Sequence, residues 1–329
     1  MKDAGLNSGL AGLAALAMFI ALLVGSTPML PVLALHALLG QGDAATLLIV
    51  WEIRLPRAIA AFLVGGALGL SGAALQGLLR NPLADPGVLG VSATAALAAT
   101  VTLYFGVAQA FIWAMPIAAV AGAMAATGLL AVTSIRMRSV VTLILIGVGL
   151  SSLAGALMAL MMNFAPNPFS LSDMVNWMLG TVANRSLVDI AFALPFLIVG
   201  AGLLLFGARG LSALTLGEEA AHGIGLDLAR ARLGVVVGTG LVTGGAVSLA
   251  GAIGFVGLVA PHVVRSLVGH DPGRTLVPAA LLGGLILVVA DILVRIIATD
   301  SELKLGVVAA LIGAPAFIWI AAQRRGADG

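Results

Sequence analysis

Cysteine is absent from the 329-residue chain, which excludes structural disulfides and thiolate metal sites. Charge is scarce as well: Asp, Glu, Lys and Arg make up 9% of residues against 61% apolar ones, and the mean hydropathy is +1.16. Soluble domains run at roughly 45–50% apolar and ~25% charged, so this composition describes an integral membrane protein with short aqueous loops. Lysine is confined to Lys2 and Lys304, and no G-x-x-x-x-G-K-[ST] loop occurs. The chain therefore cannot hydrolyse ATP through a P-loop of its own. Its histidines, His36, His222, His262 and His270, are scattered, and no HExxH or nucleophile–base–acid constellation is present. That leaves neither a catalytic site nor a metal site to assign, and no cofactor is expected on this chain. No basic run interleaved with aromatics appears, which excludes nucleic acid as a partner.

What is present is a series of long apolar runs. A hydrocarbon core ~30 Å thick needs about 20 apolar helical residues. Polar breaks divide the chain into segments of that size near 10–34, 57–79, 91–107, 111–134, 141–162, 187–206, 233–250, 252–268, 277–298 and 306–322. The first is longer than the ~7–15 residues of a signal-peptide core, so it is expected to be a retained span. Residues 233–268 could pass as one helix, but Gly244, Gly245, Gly251 and Gly254 permit a reversal there. Arginine placement favours the division. With the N-terminus inside and ten spans, Arg80, Arg136, Arg138, Arg209, Arg230, Arg232, Arg265, Arg274, Arg324 and Arg325 fall on the cytoplasmic side, and Arg54, Arg57, Arg185 and Arg295 on the other. This is the asymmetry of the positive-inside rule. The expected fold is thus an all-α polytopic membrane protein of about ten transmembrane helices, one domain over residues 1–329, with both termini cytoplasmic. Gly66–Ala73 (GALGLSGA) is echoed by Gly245–Ala252 (GAVSLAGA) on a span of opposite direction, the pattern of an inverted repeat.

Four polar features interrupt the apolar runs. Asp291 is the one acid deep in an expected span, and Arg295 follows one turn later. An i,i+4 ion pair is the simpler reading, a functional intramembrane acid the sharper one. RNPLADPGVLG (80–90) ends the second span on two prolines, as a gate or an ordinary turn would. GEEAAHGIGLDLARAR (217–232) is a charged, helix-forming island on the cytoplasmic side. Thr215 with Glu218 fits a capping box for a first short helix, Gly223 and Gly225 end it, and Asp227 caps a second turn carrying Arg230 and Arg232. On the other side residues 167–186 are amphipathic and carry Trp177, as expected of an external interfacial helix.

The chain resembles the permease subunits of bacterial ABC importers for vitamin B12, ferric siderophores and haem. The resemblance rests on RLPR (54–57), SGAALQGLLRNPLADPGVLGVS (71–92), LTLGEEAAHGIGLDLARAR (214–232), LAGAIGFVGLVAPHVVR (249–265), ADILVR (290–295) and GVVAALIGAPAFIWI (306–320), in that order over essentially the whole length. It implies a vitamin B12/iron importer fold with an inverted-repeat core, a homodimer in the bacterial inner membrane, two ATP-binding cassette subunits that carry ATP and Mg, and a periplasmic or lipid-anchored substrate-binding protein. Arg54, Arg57 and Arg295 are then expected on the external rim as docking residues, where surface charges steer encounter and register. Asn81, Leu83, Val140 and Val141 fall where relatives close the cytoplasmic end. The segment 214–232 becomes the ATPase-coupling surface, with Thr215, Gly217, Glu218, Glu219, Ala220, His222, Gly225 and Arg230 as its residues.

Met158, Met161, Met162 and Phe164 could line an apolar pathway or simply pack, and Arg185 could meet substrate carboxylates or anchor the interface. The expected cargo is a metal chelate, a ferric siderophore first, with haem and cobalamin as alternatives. An ion-coupled secondary transporter would share the hydrophobicity and the repeat, but calls for paired intramembrane acids, which are scarce here.

Overall fold

A computed structural model of the chain describes residues 2–25, 27–137, 140–223, 225–297 and 303–325, and these are helical almost throughout. In order they form α1 (Lys2–Leu23), α2 (Pro31–Leu38), α3 (Ala44–Leu48) running through a π-helical stretch (Ile49–Arg54) into α4 (Leu55–Leu79), α5 (Val91–Tyr104), the single turn α6 (Val107–Ala110), α7 (Ala114–Met137) and α8 (Val140–Asn163). Then follow α9 (Pro168–Leu179), α10 (Leu187–Phe206), α11 (Ala208–Leu214), α12 (Glu218–Gly223), α13 (Leu228–Ala250), α14 (Val256–Arg265), α15 (Pro272–Ile296) and α16 (Leu305–Arg325).

Among the described residues seven helices are long and apolar enough to cross a membrane, and Val91–Tyr104, Val256–Val268 and Leu305–Pro315 are shorter apolar helices at three further expected spans. Together they account for the ten segments read from the sequence. Two boundaries differ. The first span ends at Leu23, and a separate helix, α2, begins at Pro31, whose fixed φ suits a first helical position. The second begins at Ala44, not 57, as one rod of 36 residues. Pro56 lies inside this rod, directly after the π-helical turn, which accommodates a residue that has no N–H to give to the ladder.

The core is built on α4 and α15, which touch backbone to backbone. A Cβ on Gly65 would lie 2.2 Å from the Gly283 carbonyl oxygen, and one on Gly69 2.2 Å from that of Ala279. In lipid, where apolar association has no water to escape, such small-residue seams supply the close packing that holds helices together. Helix α13 packs against α4, α10 and α7, while α5, α7 and part of α8 form a second cluster that includes Trp177 and Met158. The α13–α14 reversal is real: Gly251 has φ +71, and a side chain there would strike the Trp177 carbonyl oxygen at 2.1 Å.

The two ends of the bundle are chemically distinct. At one, Asp3 accepts from Arg274 Nε at 2.6 Å, and Gly77 at the close of α4 faces Pro272. Gly210 of α11 also faces Ala231 here, so α4 ends where α13 begins and the two echoed segments lie on helices of opposite direction. At the other end lie Arg54, Arg57, Asp291 and Arg295. These are called below the Asp3 end and the Arg54 end.

Local caps follow the sequence. Ser186 and Asp189 form a reciprocal capping box on α10 (Ser186 N–H to Asp189 at 2.8 Å, Asp189 N–H to Ser186 Oγ at 3.2 Å). Ser186→Ala is expected to lower stability by about 1 kcal/mol, read as a drop in apparent unfolding temperature in detergent.

Candidate functional site

The segment expected to face an ATPase is a short helical excursion at the Asp3 end. Thr215, Glu219, Ala220, His222, Gly225 and Arg230 are exposed and Gly217 is half-buried, while Ala221 is buried and pins α12 to the bundle. The side chain of Glu218 lies outside the described residues. The capping box read from Thr215 and Glu218 is not what forms. Helix α12 starts at Glu218, so Gly217, with φ +101, takes the cap position, and the Thr215 hydroxyl donates back to the Ser212 carbonyl at 2.7 Å, closing α11. Asp227 does cap α13, accepting the Arg230 N–H at 3.1 Å and pairing with its guanidinium at 3.0 Å. That pair is largely exposed and adds little stability. His222, Gly225, Leu226, Asp227 and Ala229 line a shallow hollow between α12 and α13. The exposed side chains of α12 thus stand beside an open hollow.

Beside it, the break after α4 folds inward. Asp85 is buried, and its carboxylate accepts the N–H groups of Gly87 (2.7 Å) and Val88 (3.3 Å), a local turn that replaces helix. Burial pushes its carboxyl upward, and those two N–H groups oppose the shift. Asn81 accepts the Leu83 N–H at 3.0 Å, and Leu83 itself is exposed. Leu89 lies against Gly147 near the start of α8, so the expected gate loop and α8 are neighbours. Val141 is exposed there; the side chain of Val140 and all of Arg138 lie outside the described residues.

At the Arg54 end the structure corrects the sequence. Arg54, Arg57 and Arg295 do not form an exposed rim. Arg54 is 4% exposed and donates to the Leu22 carbonyl at 2.7 Å and to that of Thr27. Arg57 donates to Asp291 through Nε at 2.9 Å and Nη2 at 2.8 Å, Arg295 pairs with the other oxygen of the same carboxylate, and Arg295 also reaches the Ala21 carbonyl at 2.8 Å. The i,i+4 pair within α15 is therefore present. What spacing could not reveal is that Arg57, 234 residues away, shares the acid. The three guanidiniums splice α1, α4 and α15 together.

Two further expectations shift. Met158 is buried in the second cluster with Trp177, whereas Met162 is half-buried and Phe164 exposed. Trp177 is 5% exposed, which removes it as an interfacial anchor; its neighbours on α9, Phe169 and Leu171, are the exposed ones. Arg185 stacks over the Trp177 ring at 5.3 Å, and burial lowers its pKa despite the nearby Asp189. Missed by sequence reasoning were Gln76, which accepts from Arg265 and donates to the Gly257 carbonyl at 3.4 Å, and Ser212 with Asp271. The Asp271–Pro272 dipeptide is a helix-start signal that marks the second of these; Ser212 carries none.

Among the described residues no group of three or more His, Asp or Glu is placed to hold a metal ion. Residues 13–323 match the family model described as the FecCD transport family. An uncharacterized ABC transporter permease protein of Bacillus subtilis is 40% identical over 294 residues, covering 88% of this chain and 83% of that one. The vitamin B12 import system permease protein of Salmonella typhimurium is 41% identical over 278 residues, 83% of each. A solved metal-chelate type ABC transporter in an inward-facing conformation superposes with a TM-score of 0.82 at 28% identity, covering 97% of this chain and 99% of that one.

Proposed function

This chain belongs to the FecCD transport family, and on that footing we propose that it is the membrane permease subunit of an ABC importer that carries a metal chelate inward, with ATP hydrolysed by a separate subunit. The observation that carries the proposal is the largely exposed stretch at the Asp3 end that runs from Thr215 through α12 to Arg230, on a chain whose sequence has no P-loop. Arg80, Arg209, Arg230, Arg232, Arg265 and Arg274 sit in elements that start or finish at that end, which supports a cytoplasmic placement. A homodimer, two ATPase subunits and an external binding protein complete the assembly we propose, in a bacterial plasma membrane. Docking of the binding protein then falls to groups exposed at the Arg54 end, since its arginines are engaged internally.

Movement follows alternating access: the loaded binding protein delivers cargo, ATP-driven displacement of α11–α12 shifts the helices, and the apolar Leu83 and Val141 are the residues proposed to close the cytoplasmic exit. For cargo, a cation held half-buried at Arg185 favours an anionic chelate, a ferric siderophore or haem. Cobalamin is the second reading, favoured by the 41% identity to vitamin B12 permeases.

Proteoliposomes holding the permease with its ATPase and binding protein test this by ATP-dependent uptake of ferric siderophore, haem and cobalamin. Uptake of one of them with ATP, and none without, is expected; no ATP-dependent uptake of any would reject the proposal. In the same system Glu219→Ala is expected to leave stability within about 0.5 kcal/mol of wild type, as befits an exposed residue. Its effect belongs to coupling: stimulation of ATPase by the loaded binding protein should fall. Full stimulation would remove Glu219 from the contact.

A further inference from the structure

The excursion that would receive an ATPase has two exits into the bundle, and they differ in stiffness. One leads from α12 to α13 through Gly225, at φ +86, with Gly217 at φ +101 on the other side of α12. Glycine turns of this kind absorb displacement by backbone rotation. The other leads sideways from α11 to α15 and contains no such slack. Ser212 Oγ donates to Asp271 Oδ1 at 2.6 Å, and the same oxygen accepts the Arg274 N–H at 3.0 Å, so one carboxylate holds both its neighbour and the first turn of α15. A Cβ on Gly273 would lie 2.3 Å from the Ala208 carbonyl oxygen and 2.4 Å from Ser212 Oγ. The backbones of α11 and α15 are thus in direct contact. Pro272 also packs on Gly77, where an added Cβ would lie 2.8 Å from the proline Cβ, with Leu211 completing the junction.

We infer that the Ser212–Asp271 contact, seated on Gly273, is the joint that passes displacement of α11–α12 into α15, a step that rests on the importer function proposed above. Helix α15 is suited to carry it. It is fused to α4 along the Gly65–Gly283 seam and fastened at its far end by Asp291 to Arg57. A tilt imposed at Asp271 therefore travels the length of the pair, since packed elements shift between discrete arrangements and do not deform continuously. Ser212 and Asp271 are positioning residues here: neither touches cargo nor nucleotide.

The test compares Ser212→Ala, Asp271→Ser, the double variant and Ser212→Thr in the reconstituted importer, reading cargo transported per ATP hydrolysed. Asp271→Ser keeps a good helix cap but is too short to reach Ser212. Either single variant should lower the ratio roughly three- to thirtyfold, the span of coupling changes of this kind. Basal ATPase and apparent unfolding temperature should stay near wild type, the double variant should be no worse than either single, and Ser212→Thr should restore the ratio. A wild-type ratio in both single variants, or losses that add in the double variant, would overturn the joint. So would a fall in ratio matched by equal falls in basal ATPase and thermal stability. A wild-type complex with no ATP-dependent uptake would instead overturn the importer function.

Discussion

Asp291→Asn is expected to be the most damaging single conservative change in the chain. The carboxylate is 1% exposed and accepts from Arg57 on one oxygen and from Arg295 on the other. An asparagine offers one carbonyl oxygen and turns an N–H₂ toward a guanidinium, setting donor against donor. Removing one partner of a buried ion pair costs about 3–5 kcal/mol, far more than the pair contributes over an apolar replacement. The same change also loosens α1, because Arg295 bridges Asp291 to the Ala21 carbonyl. The expected readout is an apparent unfolding temperature lower by on the order of 10 °C, with poor recovery of monodisperse protein in detergent. A variant that melts with wild type would show that the three arginines are not held by this acid.

Gly72→Ala follows close behind, for a steric reason. A Cβ at position 72 would stand 1.8 Å from the Gly257 carbonyl oxygen and 2.7 Å from its Cα. Backbone cannot yield as a side-chain tip does, so α4 and α14 must part. Overpacking of this kind typically costs about 1–3 kcal/mol or more. Parting those helices also draws Gln76 from the Gly257 carbonyl and Asp85 from its place beside Gly257. Gly128→Ala is the matched control: nothing lies within 4 Å of its added Cβ, in the middle of α7. There the gain in helix propensity, up to ~1 kcal/mol, should show as unchanged or raised stability. Equal behaviour of the two variants in a thermal scan would contradict the close approach of α4 and α14.

How far the sequence could be read is clear from individual residues. Apolar length located the seven long apolar helices and the three shorter ones found among the described residues, and Gly251 marked the α13–α14 reversal, because both signals are local and physical. Asp227 was legible as a cap for the same reason. The start of the second span was not legible: expected at residue 57, it lies inside a rod that the structure continues back to Ala44, because Arg54 turns inward onto the Leu22 carbonyl. The role of Arg57 was not legible at all, since its partner lies 234 residues away. Thr215 had the right spacing for a capping box, but Gly217 supplied a turn that no spacing rule anticipates. Ser212 is invisible for a related reason: a serine on a short helix carries no pattern until its neighbour is known.

The unbroken α3–α4 rod bears on the relation between protein and bilayer. At ~1.5 Å per residue its 36 residues reach roughly 50 Å, against a hydrocarbon layer of ~30 Å. Such a helix cannot match membrane thickness along its whole length. It is welded to α15, so it is not free to tilt to relieve the mismatch as an isolated helix would. Its first turns, with Trp51 tied to the Ala37 carbonyl at 2.9 Å, stand clear of the acyl chains or draw headgroups up around them. Lipid of altered chain length should therefore leave this pair in place and be accommodated by the less buried spans α1, α8 and α10, making acyl-chain length an experimental handle on the periphery of the bundle and not on its core.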